Sequence, residues 1–239
     1  MKIIKLLGLA ILLFSTYSCV PFDKIYSHDF NSGYFKLKTY SPKPEKIYLD
    51  LTEDSLIVYP VVGKEKSVLS DTSEIMAYKI SSIRPGSNLY KSTFIKTSAD
   101  VDLSTVIVKY RPAVANVQSQ LNSNVNGILY AGFRKDFFRI KSHTSPLRDL
   151  NTFIRHTGFD FGLFAGIGIT PVNPTVTMNR TTQEYDGIVF QKGISVFGTF
   201  ETMSIGIALG FDNLLDNNKN IWIYNQKPWI GIVLGIANF

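Results

Sequence analysis

The sequence predicts an all-β protein: a small antiparallel outer-membrane β-barrel, eight strands in all, following a cleaved signal peptide. Three observations carry this expectation. The N-terminus has the layout of an export signal. The C-terminal half alternates apolar with small or polar residues over segments of ten residues or more. Charged residues make up 18% of the chain, against about 25% in soluble domains.

The N-terminus opens with the basic run Met1–Lys5, continues with the apolar run Leu6–Phe14, and reaches Ser18 and Cys19. A basic stretch, an apolar core of this length and a small residue form a secretory signal, too short to span a bilayer as a mature helix. Cys19 is the single cysteine and stands where a lipoprotein signal peptidase needs one, so lipidation at Cys19 is expected. Thr16 and Tyr17 depart from the usual motif, and ordinary cleavage near Ser18 is the alternative. The expected organisation is a signal peptide over 1–18, a lipid-anchored or extended segment over 19–45, and a barrel domain over 46–239, clearest from about residue 94.

Period-two alternation places the strands, because successive side chains of a strand point to opposite faces. In Phe159–Thr170, Phe159, Phe161, Leu163, Ile167 and Ile169 share one face, and Asp160, Gly162, Gly166, Gly168 and Thr170 share the other. Gly187–Glu201 repeats the pattern, with Lys192 on the apolar face, where it must snorkel. Met203–Asp212 sets Ile205, Ile207 and Leu209 against Gly206, Ala208 and Gly210. The last strand, Trp229–Phe239, ends on an aromatic residue, and its lipid-facing side is left open by the pattern. Upstream, Asn126–Lys141 and Ser92–Arg111 alternate as well. Counted as one strand each, Lys46–Val62, which also reads as a tight hairpin, and Ser73–Arg84 bring the six to the even eight expected of bacterial barrels. A small periplasmic β-domain is the alternative place for them.

With Phe239 on the periplasmic side, the tight turn Glu201–Met203 is periplasmic, and the long connections Pro112–Val125, Pro171–Asp186 and Asn213–Pro228 are external, as barrels require. Ser142–Gly158 breaks this rule: it is expected as a long polar periplasmic connection, with room for a short helix. Candidate polar residues of the lumen are Lys109, Arg111, Arg134, Asp136 and Asp160, with Lys109 and Arg111 entering its outer end and pairing with Asp136 or Asp160. Asp212, Asp216, Trp222, Tyr224 and Lys227 are candidate residues of an outer surface loop. Trp222, Tyr224, Trp229 and Tyr185 fall at strand ends, where an interfacial aromatic girdle belongs.

The stretches Val108–Pro112, Gln120–Asn124, Gly210–Asp216 and Ile221–Gly231 carry a resemblance. From about Phe94 onward the chain resembles an uncharacterised family of exported outer-membrane β-barrel proteins of Bacteroidetes. The resemblance implies a small outer-membrane barrel and brings no activity with it.

Catalytic chemistry is not expected. There is neither a GxSxG nor a phosphate-binding loop. The three histidines, His28, His143 and His156, lack metal-ligand spacing, so no metal or cofactor is predicted. Asp212–Asn220 is rich in oxygen ligands but lacks the Gly and the closing Glu of an EF-hand loop, and reads as a hydrogen-bonded turn. The net charge of +6 comes from scattered basic residues and points to outer-membrane lipid and lipopolysaccharide, with an envelope protein as a further partner, and not to nucleic acid. The expected function is non-enzymatic, structural or in surface interaction. The alternatives are a narrow pore or transport-complex subunit, and an outer-rim lipid-modifying enzyme.

Overall fold

The computed structural model describes residues 30–39, 45–52, 55–61, 76–79, 83, 91–144, 150–200 and 203–235. The expected signal peptide, Cys19, His28 and Phe239 lie outside them. The described residues form one antiparallel sheet: β1 (Gly33–Lys38), β2 (Glu45–Leu51), β3 (Ser55–Pro60), β4 (Met76–Lys79), β5 (Thr93–Arg111), β6 (Gln120–Asn122), β7 (Asn126–Thr144), β8 (Leu150–Val172), β9 (Tyr185–Phe200), β10 (Met203–Leu214) and β11 (Pro228–Gly235).

Six strands, and not eight, close into a ring. The order is β5–β7–β8–β9–β10–β11, and β11 returns to pair with β5. The hairpin β2–β3 and β4 were expected in this ring but lie outside it. The reason is in β5, whose edge is long enough for two partners. Ser104–Tyr110 pairs with β11 and closes the ring, while Thr93–Ile95 pairs with β1. From β1 the sheet runs on to β2, β3 and β4 as a separate lobe. β1 itself falls in the segment expected to be extended.

The expected connection Ser142–Gly158 is mostly strand. β7 and β8 continue in register past the ring, with Phe138 opposite His156 and Ile140 opposite Ile154. Apart from His156, the buried side chains described on these extensions are apolar. Phe94, Phe138, Ile140 and Ile154 pack with Phe30, Phe35, Leu37, Ile47, Leu49, Leu56 and Val58 into the lobe core. Burial of that face holds the chain in strands where its polar composition suggests a loop.

The stagger of the ring follows from its register. Val101 lies opposite Ala131, then Leu163, Ile194, Leu209 and Ile230, and the path returns to β5 at Tyr110. One of the residues between Val101 and Tyr110 is extra: the ladder passes from Val106 to Val108 across consecutive residues of β11, so Ile107 is a β-bulge. A net stagger of about eight residues in six strands, at about 3.3 Å per residue and about 4.8 Å between strands, gives a tilt of about 40° and a radius of roughly 6–7 Å. Such a ring has room for side chains and none for an aqueous channel.

The outward face of the ring is largely apolar. Outward stand Val101, Leu129, Phe133, Phe161, Leu163, Ile194, Ile207 and Ile230, all exposed. β11 thus turns Ile230 and Ile232 outward and Trp229 and Val233 inward. Lys192 stands outward too, between Ala165 and Phe211.

Candidate functional site: a layered interior under a closed cap

The inward face is sorted into layers along the axis. Nearest the lobe comes its apolar core. Next is a charged layer holding Arg134, Asp136, His156 and Asp160, followed by an apolar layer of Val106, Ile128, Tyr130, Phe164, Phe197, Ala208, Trp229 and Val233. Beyond it lies a second charged layer with Lys109, Arg111 and Asp212, and finally an apolar cap of Val172, Val176, Val189, Leu214, Trp222 and Tyr224.

Glycines on the inward face make the aromatic layer possible. A Cβ at Gly210 would stand 2.5 Å from Trp229 Cζ2 and 2.8 Å from Phe164 Cζ, and one at Gly193 would stand 2.8 Å from the same Phe164 atom. In so narrow a ring, a large ring on one strand requires a missing side chain on the strand it faces.

In the cap-side charged layer, Asp212 is fully buried and lies at the centre. Lys109 Nζ donates to both of its oxygens at 3.1 Å, the Arg111 guanidinium donates to Oδ2, and Trp229 Nε1 donates to Oδ1 at 2.8 Å. Arg111 also donates to Thr170 Oγ1 at 3.2 Å. Lys109 sits 4.6 Å from the Trp229 ring centroid, and Arg111 lies 5.3 Å from that of Trp222 and 5.5 Å from that of Tyr224. The bulge at Ile107 matters here. Val106 faces inward before it, and Lys109 and Arg111 face inward after it, so one strand supplies both an apolar and a cationic inward run. Strict alternation would have put Val106 on the face opposite to Lys109 and Arg111.

In the lobe-side layer, Arg134 Nε donates to Asp136 Oδ1 at 3.0 Å and lies 3.7 Å from Asp160 Oδ2, with Asp100 at 4.0 Å from its NH1. Tyr130 donates to Asp160 Oδ1 at 3.4 Å. His156 Nε2 is 2.7 Å from Asp136 Oδ1, and its ring stacks on Phe138 at 4.6 Å.

All five expected lumen residues, Lys109, Arg111, Arg134, Asp136 and Asp160, are buried inside the ring. Their pairing differs from expectation. Lys109 and Arg111 meet Asp212, while Asp136 and Asp160 meet Arg134, because the aromatic layer separates the two groups.

The expected surface-loop set is corrected more heavily. Asp212 is an inward residue of β10, in phase with Ala208 and Gly210. Trp222 and Tyr224 turn into the ring and close its mouth, with their centroids 6.0 Å apart. Burial pushes the Tyr224 phenol above its ordinary pKa, and the nearby Arg111 guanidinium pulls the other way. Asp216 is half-buried, accepts from Tyr185 Oη at 2.7 Å, and caps the 3-10 turn Asn217–Asn220 through Asn218 N at 2.7 Å. Of the set, Lys227 alone is exposed. The girdle expected of Trp222, Tyr224 and Trp229 is likewise overturned: all three are buried within the ring and its cap. A narrow ring with many inward glycines leaves volume that only large rings fill.

The cap is tied down from several sides. Ile223 N donates to Val176 O at 3.0 Å, Gln226 N to Asp212 O at 2.8 Å, and Leu214 N to Asn225 Oδ1 at 3.1 Å. Asp100 and Tyr130 carry no site signal in the sequence beyond the phase of Tyr130 with the small or polar face of its strand, and His156, expected on the surface of a periplasmic connection, is instead buried against Asp136 and Phe138. His156 becomes legible only once β8 is extended back past Gly158. Among the described residues no cluster of His, Cys, Asp or Glu has the arrangement of a metal site, and no helix is long and apolar enough to cross a membrane. No protein-family model, curated protein or solved structure matches the chain.

Proposed function

We propose that this chain is a non-enzymatic outer-membrane β-barrel protein, sealed along its axis, with a structural or surface-interaction role. The observation that carries the reading is the apolar belt around the closed ring. Contiguous apolar patches beyond a few hundred Å² are rare on water-soluble proteins, and here exposed Ile, Leu, Val and Phe side chains occur on all six strands. On β8 the belt runs from Phe159 to Ile169. Ten residue steps of about 3.3 Å, at a tilt of about 40°, give a height of about 25 Å, the height of the apolar band of membrane barrels.

The layered interior supports a sealed barrel over a pore or transport subunit. Bilayer lipid is then the principal partner, with the cap as the surface open to lipopolysaccharide or an envelope protein. The N-terminal signal and a lipidated Cys19 belong to the same proposal, and so does kinship with the Bacteroidetes family. The deciding experiment is alkaline carbonate extraction of membranes from expressing cells, combined with gel mobility before and after boiling. The protein is expected in the membrane pellet with heat-modifiable mobility. Recovery in the carbonate supernatant, with one mobility, refutes the reading.

A further inference from the structure

Beneath the apolar belt, at the lobe end, the outward face changes character. Lys36, Lys38 and Lys46 on β1 and β2, and Lys135, Arg139 and Arg155 on β7 and β8, are all exposed. Their registers place them on one face. Lys36 lies opposite Lys46 and Ile95, Lys38 opposite Thr93, Thr93 opposite Arg139, and Arg139 opposite Arg155. The inward residues of the same strands are Phe35, Leu37, Ile47, Phe138, Ile140 and Ile154, so alternation turns the cations outward. None of the six has a salt-bridge partner among the described residues. β1 and β2 carry two acids against these cations: Asp50, on the outward side, accepts from Ser32 Oγ, and Glu45, exposed beside Lys46 at the start of β2, lies opposite the inward Leu37. Next to the cations runs an aromatic row, with Tyr34 and Tyr48 centroids at 5.1 Å and Tyr48 and Tyr59 at 6.3 Å. The cap end is different: its exposed charges, Arg180, Glu184, Asp186, Lys219 and Lys227, are mixed in sign.

We propose that this basic face binds the anionic headgroups of phospholipids in the leaflet at the lobe end of the ring. The inference rests on the membrane reading given above. Two features select lipid as the occupant. The face is continuous with the apolar belt, since β7 and β8 pass from one to the other. Lys135 lies at the edge of the belt, and Arg139 is four residues further, about 10 Å down a tilted strand, within the headgroup layer of a bilayer whose hydrocarbon core ends at the belt. The cation excess with adjoining tyrosines is also the composition that anchors a protein at an anionic interface.

The test uses the full-length protein reconstituted in phosphatidylcholine bilayers with trace spin-labelled lipid. Motionally restricted spin label reports lipid at the protein surface, and its amount for phosphatidylglycerol relative to phosphatidylcholine reports headgroup selection. At low salt, phosphatidylglycerol is expected to associate at least about threefold more strongly. That preference should fall toward unity in molar salt, where screening acts within about 3 Å. It should also fall in the variant Lys36→Gln/Lys38→Gln/Arg139→Gln/Arg155→Gln, and persist when the same four positions exchange Lys for Arg and Arg for Lys. Equal association of the two lipids with the unmodified protein, or a preference that the Gln variant retains, overturns the assignment. A restricted component present in phosphatidylcholine without headgroup preference overturns the assignment alone. No restricted component with any lipid overturns the membrane reading beneath it. If the reconstituted protein shows no lipid preference and binds polyglutamate through these residues, the face is a protein-docking surface and the lipid assignment fails.

Discussion

Replacing Asp212 by Ala tests whether the interior is dry. Asp212 is 0% exposed, and its two partner cations, Lys109 and Arg111, are 2% and 3% exposed. Truncation removes the only carboxylate that these cations contact among the described residues and also orphans the Trp229 indole N–H. Breaking a buried pair by removing one partner costs about 3–5 kcal/mol, because an uncompensated charge stays behind. A buried unsatisfied donor adds about 1–3 kcal/mol. Allowing for overlap and for movement of the lysine toward the mouth, the loss is about 4–6 kcal/mol. The assay is urea unfolding of the refolded protein in lipid vesicles, followed by Trp fluorescence and by the heat-modifiable band. Asp212→Asn, which still accepts from Trp229, should lose less. Lys109→Met/Arg111→Met/Asp212→Leu should recover the ionic part of the loss, since apolar replacement of a whole buried ionic group is often neutral or better, and keep only the loss of about 1–3 kcal/mol from the orphaned Trp229 N–H. A loss below about 1 kcal/mol for Asp212→Ala would mean a hydrated carboxylate, as at water-exposed ion pairs, and would refute the sealed interior.

Leu163→Arg, at a position 65% exposed on the outward face, should destabilise the protein in lipid by about 2–4 kcal/mol; a change within about 0.5 kcal/mol, usual for a water-facing site, would place that face in water. Gly210→Val brings methyl groups onto Trp229 and Phe164 and should cost about 1–3 kcal/mol or more by overpacking, read as a lower urea midpoint. A Trp229→Ala/Gly210→Val double variant should lose less than the sum of the two single losses, because removing the ring removes the clash. In planar bilayers the purified protein should show no steady conductance, and regular single-channel steps would favour the pore reading.

Much of the strand layout was legible from alternation alone. Phe159–Thr170, Gly187–Glu201 and Met203–Asp212 each appear within one or two residues of a strand or inside a longer one, because a strand with lipid-like and filled faces must alternate at every step. Asp212 also carried its own signal, standing in phase with Gly206, Ala208 and Gly210, yet its neighbours Asn213, Asp216 and Asn217 read as a loop. The inward glycines announced a narrow interior without saying which rings would fill it. Trp222 and Tyr224 illustrate that gap, since an aromatic residue near a strand end suits either a bilayer interface or a cap, and local sequence does not separate the two.

The sequence by itself determined the all-β class, the positions of the ring strands, and the burial phase of Arg134, Asp136 and Asp160, since all of these follow from period-two patterning within single segments. Tertiary structure alone decided the number of strands in the ring, the partner of each charge and the inward turn of the cap. Closure at six strands depends on β5 dividing its edge between β11 and β1. The pairing of Lys109 and Arg111 with Asp212 depends on a bulge at Ile107 and on an aromatic layer built from residues 123 positions apart, Val106 and Trp229. Such contacts are set by stagger and by competition for a strand edge, which are properties of the whole ring and of no single segment.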